Sequence, residues 1–134
     1  MINIPRCYWS TEVHKDIYEI PTIVKSIDEL AFARSHIKKI VFADYGYCSK
    51  IGQSAFEYSD IEEIHLPYSL AIIEASAFYV CRNLKNIYYE GTKDDWNSIR
   101  LAVNYNLDPT WISSDTPARV VHCIDGDIDI YDEW

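Results

Sequence analysis

The sequence predicts a solenoid of stacked coils that is mostly β, and two observations lead to this fold class. The dipeptide Ala-Phe recurs at intervals of 24 and 22 residues, at Ala31-Phe32, Ala55-Phe56 and Ala77-Phe78. A short apolar alternation precedes each dipeptide and occurs once more after the last, as Tyr18-x-Ile20, Ile40-x-Phe42, Ile64-x-Leu66 and Ile87-x-Tyr89. Such alternation is typical of a strand with one buried face. Coils that repeat it must stack, because one coil alone cannot bury its apolar face.

Positions at fixed distances from each alanine repeat in residue type as well. Four residues before the alanine are Ile27, Ile51 and Ile73, and seven residues before it are Val24, Cys48 and Leu70. Four residues after it are Ser35, Ser59 and Cys81, and six residues after it are Ile37, Ile61 and Leu84. A strand about every 22 residues with a compact turn between is the length class of leucine-rich repeats. We therefore expect one parallel strand per coil and a buried ladder formed by Phe32, Phe56 and Phe78.

The 134 residues fit a single domain, with an N-terminal cap over 1–16, repeats over 17–90 and a C-terminal cap over 91–134. In the C-terminal cap, Thr92 followed by Asp95 indicates a helix that begins after Thr92 and runs to about residue 102.

A β-hairpin is predicted near the C-terminus. Val120–Ile124 and Asp127–Ile130 flank the dipeptide Asp125-Gly126, which suits a type I′ turn. The hairpin would close the exposed edge of the sheet, which otherwise invites aggregation.

The stretch from Ile61 to Leu84 has the pattern I-x-x-I-x-L-P…I-x-x-x-A-F-x-x-C-x-x-L. It resembles the BspA-like leucine-rich repeats of bacterial surface and secreted proteins, and Ile87–Trp96 and Val121–Gly126 are similar to the terminal unit of such arrays. The resemblance covers about residues 17–128. It implies a right-handed leucine-rich-repeat solenoid of α/β type, mostly β, with a short parallel sheet and a C-terminal capping helix and hairpin. The array departs from the pattern in having about three units and in keeping the usual glycine only as Gly52.

Charge and composition restrict the partners. The net charge is −9, from 12 Lys and Arg against 21 Asp and Glu, which argues against nucleic acid and anionic membranes and permits a basic protein. No basic and apolar leader opens the chain, and no apolar run approaches the roughly 18 residues of a membrane helix. The expectation is a cytoplasmic protein as the sequence stands, or a surface or secreted one if a leader was removed.

Side chains that could carry chemistry have structural explanations. Cys48 and Cys81 occupy repeat slots that elsewhere hold apolar or small residues, so we expect both to be buried and free. The histidines, at 14, 36, 65 and 122, lack the close pairing of zinc ligands. Phosphate-binding and hydrolase motifs are absent. We therefore expect no enzyme, no cofactor and no metal.

The outward strand positions form the candidate partner-binding surface, because side chains alternate between the two faces of a strand. The residues selected are Glu19, Lys39, Val41, Glu63, His65, Tyr88 and Glu90. Their mixture of charged, aromatic and small apolar groups is typical of an interface. A competing interpretation is that a cap packs over Ile17, Val41 and Tyr88.

Two functions follow from this interpretation. The first is protein–protein recognition on the sheet face; the resemblance implies adhesion or host-protein binding for surface members, and an adaptor or antitoxin-like inhibitor for a leaderless one. The alternative is an acidic decoy that occupies a basic nucleic-acid-binding cleft. Its contacts would be the C-terminal acids Asp125, Asp127, Asp129, Asp132 and Glu133.

Overall fold

The computed structural model describes residues 2–6, 8, 16–103 and 110–130, and these form a two-sided solenoid. One side is a five-stranded sheet of β1 (Ile2–Ile4), β3 (Val24–Ile27), β5 (Lys50–Ile51), β7 (Ile72–Glu74) and β9 (Arg100–Val103). The other is a six-stranded sheet of β2 (Ile17–Ile20), β4 (Lys39–Phe42), β6 (Glu63–Leu66), β8 (Asn86–Tyr89), β10 (Val120–Cys123) and β11 (Gly126–Asp129). All neighbouring strands pair in parallel, except β10 and β11.

Each of the first three coils therefore contributes two strands, where the sequence predicted one. The strands of the six-stranded sheet lie where the apolar alternation placed them. The second strand of each coil escaped prediction because its inward residues do not alternate. In β3, the buried residues Val24 and Ile27 are three positions apart, so the two-residue period that identifies a strand is missing.

The predicted ladder of phenylalanines is confirmed. Phe32, Phe56 and Phe78 are fully buried, and successive rings stack with centroids 5.2 Å apart and planes within 3° of parallel. Trp111 continues the ladder with an edge contact to Phe78 at 5.9 Å. The ring spacing is close to the separation of paired strands, so each coil adds one ring to a continuous core.

The Ala-Phe segment is a turn whose backbone alternates between right- and left-handed residues. In the second coil, Ser54 and Tyr58 have φ values of 57° and 58° on either side of Ala55-Phe56. The turn also bonds to the next coil, since the amide of Phe56 donates to the carbonyl of Ala77 at 2.8 Å. Backbone groups are thus satisfied without a helix, which keeps the solenoid mostly β.

A fourth coil closes the array without an Ala-Phe dipeptide. Its turn runs through residues 110–118, where the carbonyl of Trp111 accepts from Phe78 and the amide of Ala118 donates to Leu84. Thr116 takes part in the same contact, with its hydroxyl donating to the carbonyl of Phe78 at 2.8 Å. The turn over residues 110–118 was not predicted, because its residue types differ from those of the three repeats.

The predicted capping helix is shorter than expected. Helix α1 (Lys93–Asn97) begins with the predicted capping box, in which the amide of Asp95 donates to the Thr92 hydroxyl and the amide of Thr92 donates to the Asp95 carboxylate. The extension to residue 102 is wrong. Residues 100–103 form β9 and bond to β7, because pairing with the neighbouring coil satisfies their backbone as well as a helix would.

The hairpin is confirmed, and its turn type is corrected. Strands β10 and β11 pair antiparallel, with Cys123 opposite Gly126, so the two loop residues are Ile124 and Asp125. Neither has a positive φ, whereas a type I′ turn needs one at both positions. The left-handed residue is Gly126, at φ 136°, which opens β11. Of the N-terminal cap predicted over 1–16, the structure describes residues 2–6, 8 and 16, of which Ile2–Ile4 form β1; residues 1, 7 and 9–15 lie outside the described residues.

Candidate binding surface

A column of stacked rings crosses the outward face of the six-stranded sheet. His65, Tyr88 and His122 stand opposite one another on β6, β8 and β10. The ring of Tyr88 lies 4.6 Å from that of His65, at 16° between planes, and 5.0 Å from that of His122, at 32°. We call these three residues the ring column. Its side chains are half-buried, so part of each remains exposed to solvent.

Carboxylates hold both histidines of the ring column. The imidazole Nε2 of His65 donates to Glu63 Oε2 at 2.5 Å, and Nδ1 of His122 donates to Asp127 Oδ1 at 2.8 Å. Glu63 also pairs with the ammonium of Lys39 at 3.1 Å. The hydrogen bond from His65, followed by the bond and charge of Lys39, holds the pKa of Glu63 below its ordinary value despite partial burial. These bonds restrict the side chains to one arrangement.

Of the seven predicted site residues, four contact one another and three lie elsewhere on or beside the same face. Lys39, Glu63, His65 and Tyr88 are brought together by direct contacts. Glu19 and Val41 lie at paired positions on β2 and β4, where Glu19 is exposed and Val41 is half-buried. Glu90 is exposed just beyond the end of β8.

The ring column includes one residue that the sequence reasoning did not select, His122. A signal for it existed. Val121 and His122 on β10 pair with Ile87 and Tyr88 on β8, and the same alternation of inward and outward residues is legible in the sequence.

The alternative that a cap covers Ile17, Val41 and Tyr88 is wrong for Ile17. That side chain is 58% exposed. The partial burial of Tyr88 is accounted for by the two histidines that stack against it.

The two edges of this face differ in charge. Where the strands begin, a shallow cleft is lined by Asp16, Ile17, Lys38, Lys39, Glu62, Glu63, Asn83, Lys85 and Asn86. Acids and bases alternate there, and Lys38 pairs with Glu62 at 3.9 Å. Where the strands end, a second cleft is lined by Ala43, Asp44, Tyr45, Gly46, Pro67, Tyr68, Ser69 and Glu90. We call this second cleft the edge cleft; its lining contains acids and no base.

The cysteines lie in the slots that the repeat alignment gave them. Cys48 and Cys81 are buried and free, and burial raises the pKa of Cys48 to about 11 and that of Cys81 to about 12. The Cys81 thiol donates to the carbonyl of Phe56 at 3.0 Å. Within residues 2–6, 8, 16–103 and 110–130, no three His, Cys, Asp or Glu side chains are grouped as a metal site would need.

The BspA type leucine-rich repeat region, in six copies, matches residues 5–106. This chain belongs to the BspA-type leucine-rich-repeat family. The resemblance seen in the sequence is therefore confirmed, although six copies exceed the three units that the Ala-Phe dipeptide marks. Leucine-rich repeats generally mediate protein–protein interactions, and their solenoids are typically not catalytic.

No curated protein matches this BspA-type chain, whereas solved structures of similar fold do. The crystal structure of the pneumococcal vaccine antigen PcpA superposes with a TM-score of 0.65 at 22% identity, over 93% of this chain and 36% of that one. The chain thus spans about a third of the length of the antigen, and the likeness concerns the fold alone. Among the described residues, no helix is both long enough and apolar enough to traverse a bilayer.

Proposed function

We propose that this protein binds a protein partner through the outward face of the six-stranded sheet, with Tyr88 as the central contact. The ring column is the observation that carries the proposal. Solenoids use the extended surface of their stacked strands for binding. Rings near the centre of an interface commonly dominate its binding energy, and Tyr88 is the middle ring of three.

The contacts around the ring column also favour recognition. Lys39, Glu63 and His65 are already fixed by hydrogen bonds, so binding would cost them little side-chain entropy. A face that served solubility alone would not need half-buried aromatic rings on its outer side. The proposed binding residues remain Glu19, Lys39, Val41, Glu63, His65, Tyr88 and Glu90, and His122 is added to them.

The acidic-decoy alternative is less well supported by the described part of the hairpin. Asp127 is bonded to His122, and the carboxylate of Asp125 accepts from the backbone amide of Lys93 at 2.8 Å. Asp127 therefore links the two strands of the hairpin, and Asp125 links its turn to the capping helix. Asp132 and Glu133 lie outside the described residues.

A capture experiment tests the proposal. Partners are captured on the immobilised chain from the source organism and its surroundings, identified by mass spectrometry, and purified for affinity measurement. Tyr88→Ala should weaken binding by more than about tenfold. The matched control is Tyr58→Ala, because Tyr58 is 40% exposed and lies on the Ala-Phe side of the coils; its affinity should stay within about twofold.

Two outcomes would contradict the sheet-face proposal. A loss of affinity in Tyr58→Ala but not in Tyr88→Ala would move the contact to the Ala-Phe side. If replacement of Asp129, Asp132 and Glu133 by amides abolished binding while Tyr88→Ala had no effect, the acidic decoy would replace the sheet face. Loss of rim charge should otherwise change mainly the association rate and its salt dependence.

Location is part of the same proposal. The PcpA match is to a vaccine antigen, and the family resemblance is to surface and secreted proteins. We therefore propose a surface or secreted location, which immunodetection in cell fractions would test; detection confined to the cytoplasmic fraction would contradict it.

A further inference from the structure

The edge cleft contains exposed aromatic rings that the fold does not use. Tyr45 is 96% exposed and Tyr68 is 64% exposed, although a tyrosine ring can bury a large apolar area in a hydrophobic core. Tyr45 also has a φ of 59°, a left-handed conformation that is unfavourable for a side chain other than glycine. It lies within the longer of the two Ala-Phe intervals, 24 residues against 22. Left-handed residues recur in the turns of the other coils, so the φ of Tyr45 is ordinary for this solenoid, whereas the exposure of its ring is not. Exposed aromatic rings grouped in a cleft are a feature of binding sites rather than of the core.

The charges of the edge cleft are of one sign. Asp44 and Glu90 are its charged residues, and neither forms an ion pair with any residue in the described part of the chain. A third carboxylate, that of Asp95, lies on the far side of Tyr68, in a neighbouring cleft that also lacks a base. The opposite edge of the sheet contrasts with this, because Lys38 and Lys39 pair there with Glu62 and Glu63.

We propose that the edge cleft takes a cationic side chain, with arginine preferred, from a basic segment of the partner. A guanidinium is attracted to the face of a tyrosine ring and forms charge-assisted hydrogen bonds with carboxylates. Tyr68 and Glu90 both line the cleft. A planar guanidinium can combine stacking on a ring with N–H donation to a carboxylate, which the point charge of lysine does less well.

This inference deepens the proposed function and rests on it for the partner being a protein. Glu90 belongs to both the binding face and the edge cleft, so one partner can contact the ring column and place its cation in the cleft. The charge complementarity is also consistent with the net charge of −9, which favours basic partners.

Two matched peptides test whether the edge cleft prefers a cationic side chain to a neutral one of the same shape. The full chain is titrated with acetyl-Gly-Pro-Arg-Pro-Gly-amide, while tyrosine ring resonances are followed by NMR. The same peptide with citrulline in place of arginine keeps the shape and removes the charge. The arginine peptide should shift the signals of Tyr45 and Tyr68 and bind at least about fivefold more tightly than the citrulline peptide. Its affinity should fall as salt is added.

Variants assign the effect to the cleft. Asp44→Asn combined with Glu90→Gln should weaken the arginine peptide about tenfold, and Tyr68→Ser should weaken it as well. Glu62→Gln is the matched control, because it removes one carboxylate charge at the opposite edge of the same sheet. That variant should bind the peptide within about twofold of the parent chain.

Several outcomes would overturn the proposal. Equal binding of both peptides, no binding of either, or shifts confined to the edge that contains Glu62 would each exclude a cation site in the edge cleft. If a neutral oligosaccharide shifted the Tyr45 and Tyr68 signals and the arginine peptide did not, a carbohydrate site would replace it. Loss of partner capture in Tyr88→Ala is measured separately, so the sheet face and the edge cleft can fail independently.

Discussion

The imidazole of His65 lies nearly flat on the phenol ring of Tyr88, with ring centroids 4.6 Å apart and planes 16° apart. His122 contacts the same phenol ring at 5.0 Å from the next strand. Tyr88 is therefore held by rings from two neighbouring strands, and its side chain remains half-buried. A ring fixed in this way loses little conformational entropy when a partner binds.

Replacement of Tyr88 by alanine should separate binding from folding. We expect partner affinity to fall more than about tenfold, whereas the free energy of unfolding should decrease by about 1–3 kcal/mol for the loss of two ring contacts. Urea unfolding checks the stability and calorimetric titration checks the affinity. A loss of stability that accounts for the whole loss of binding would show that the ring is structural.

Phe56→Ala should be among the most damaging substitutions in the chain. The ring is fully buried between Phe32 and Phe78, with centroids at 5.2 Å on both sides, so its removal leaves a cavity that the ladder cannot close. We expect a loss of about 3–5 kcal/mol in the free energy of unfolding. Tyr45→Ala is the control and should change it by less than about 0.5 kcal/mol, because Tyr45 is 96% exposed. Similar stabilities for the two variants would contradict the buried ladder.

Gly52→Ala should destabilise the chain even though the φ of Gly52 is not in the left-handed region. A Cβ there would lie 2.7 Å from the amide nitrogen of Glu29 and 2.8 Å from the carbonyl carbon of Asp28, both backbone atoms of the first coil. The first two coils would have to separate, at a cost of about 1–3 kcal/mol. Chemical denaturation measures the loss, with alanine at exposed Glu62 as the reference; equal midpoints would refute the close approach.

Cys48 and Cys81 should react with a thiol reagent only as fast as the chain unfolds. Burial raises their pKa values to about 11 and about 12, so the thiolate is scarce at neutral pH. The experiment uses a chain with Cys7→Ser and Cys123→Ser, so that labelling reports the two buried thiols alone. Rapid modification of both in the native state would place them outside the core.

The same thiols should make the free energy of unfolding decrease at alkaline pH. A pKa above the ordinary 9.0 means that the folded chain holds the thiol proton more firmly than the unfolded chain. The stabilisation is complete below pH 9 and declines as pH rises toward 11 and 12. In Cys81→Ala this decline should be shallower, which denaturation across that range would show.

Glu63 should give the sheet face an acid-sensitive contribution. Its pKa is lowered by the hydrogen bond from His65 and by Lys39, so the folded chain favours the carboxylate. That stabilisation is present above its ordinary pKa of 4.5 and is lost as pH falls through the lower folded value. Glu63→Gln should therefore be less stable than the parent at pH 6 and equal to it in strong acid. A difference that persists unchanged at low pH would contradict the ion-pair explanation.

Much of the solenoid could be predicted because its inward residues repeat. Ala55-Phe56 and the alternation Ile64-x-Leu66 recur at a constant spacing, and hydrophobic burial imposes that spacing on the sequence. The parts that were missed lack a repeated residue type. The turn at 110–118 uses Trp111 and Thr116 where earlier coils use alanine and small residues, and the Thr116 hydroxyl takes part in its bonds to the preceding coil.

The candidate site was predictable in one respect only. Strand alternation placed His65 and Tyr88 outward, which the structure confirms. The edge cleft was not foreseen, because Tyr45 and Tyr68 lie in loops and meet only after the coils stack. Contacts between loops of successive coils depend on register and loop conformation, and neither is encoded by a local pattern.

The reversed direction of β11 gives the array a polarity. A further coil could not continue the parallel hydrogen-bond pattern beyond β11, since that strand presents its edge in the opposite sense to β10. Whole coils inserted upstream of the hairpin would keep every parallel pairing intact. Each inserted coil would add one buried ring and one outward side chain. The binding surface could therefore lengthen by one coil at a time while the C-terminal hairpin stayed unchanged.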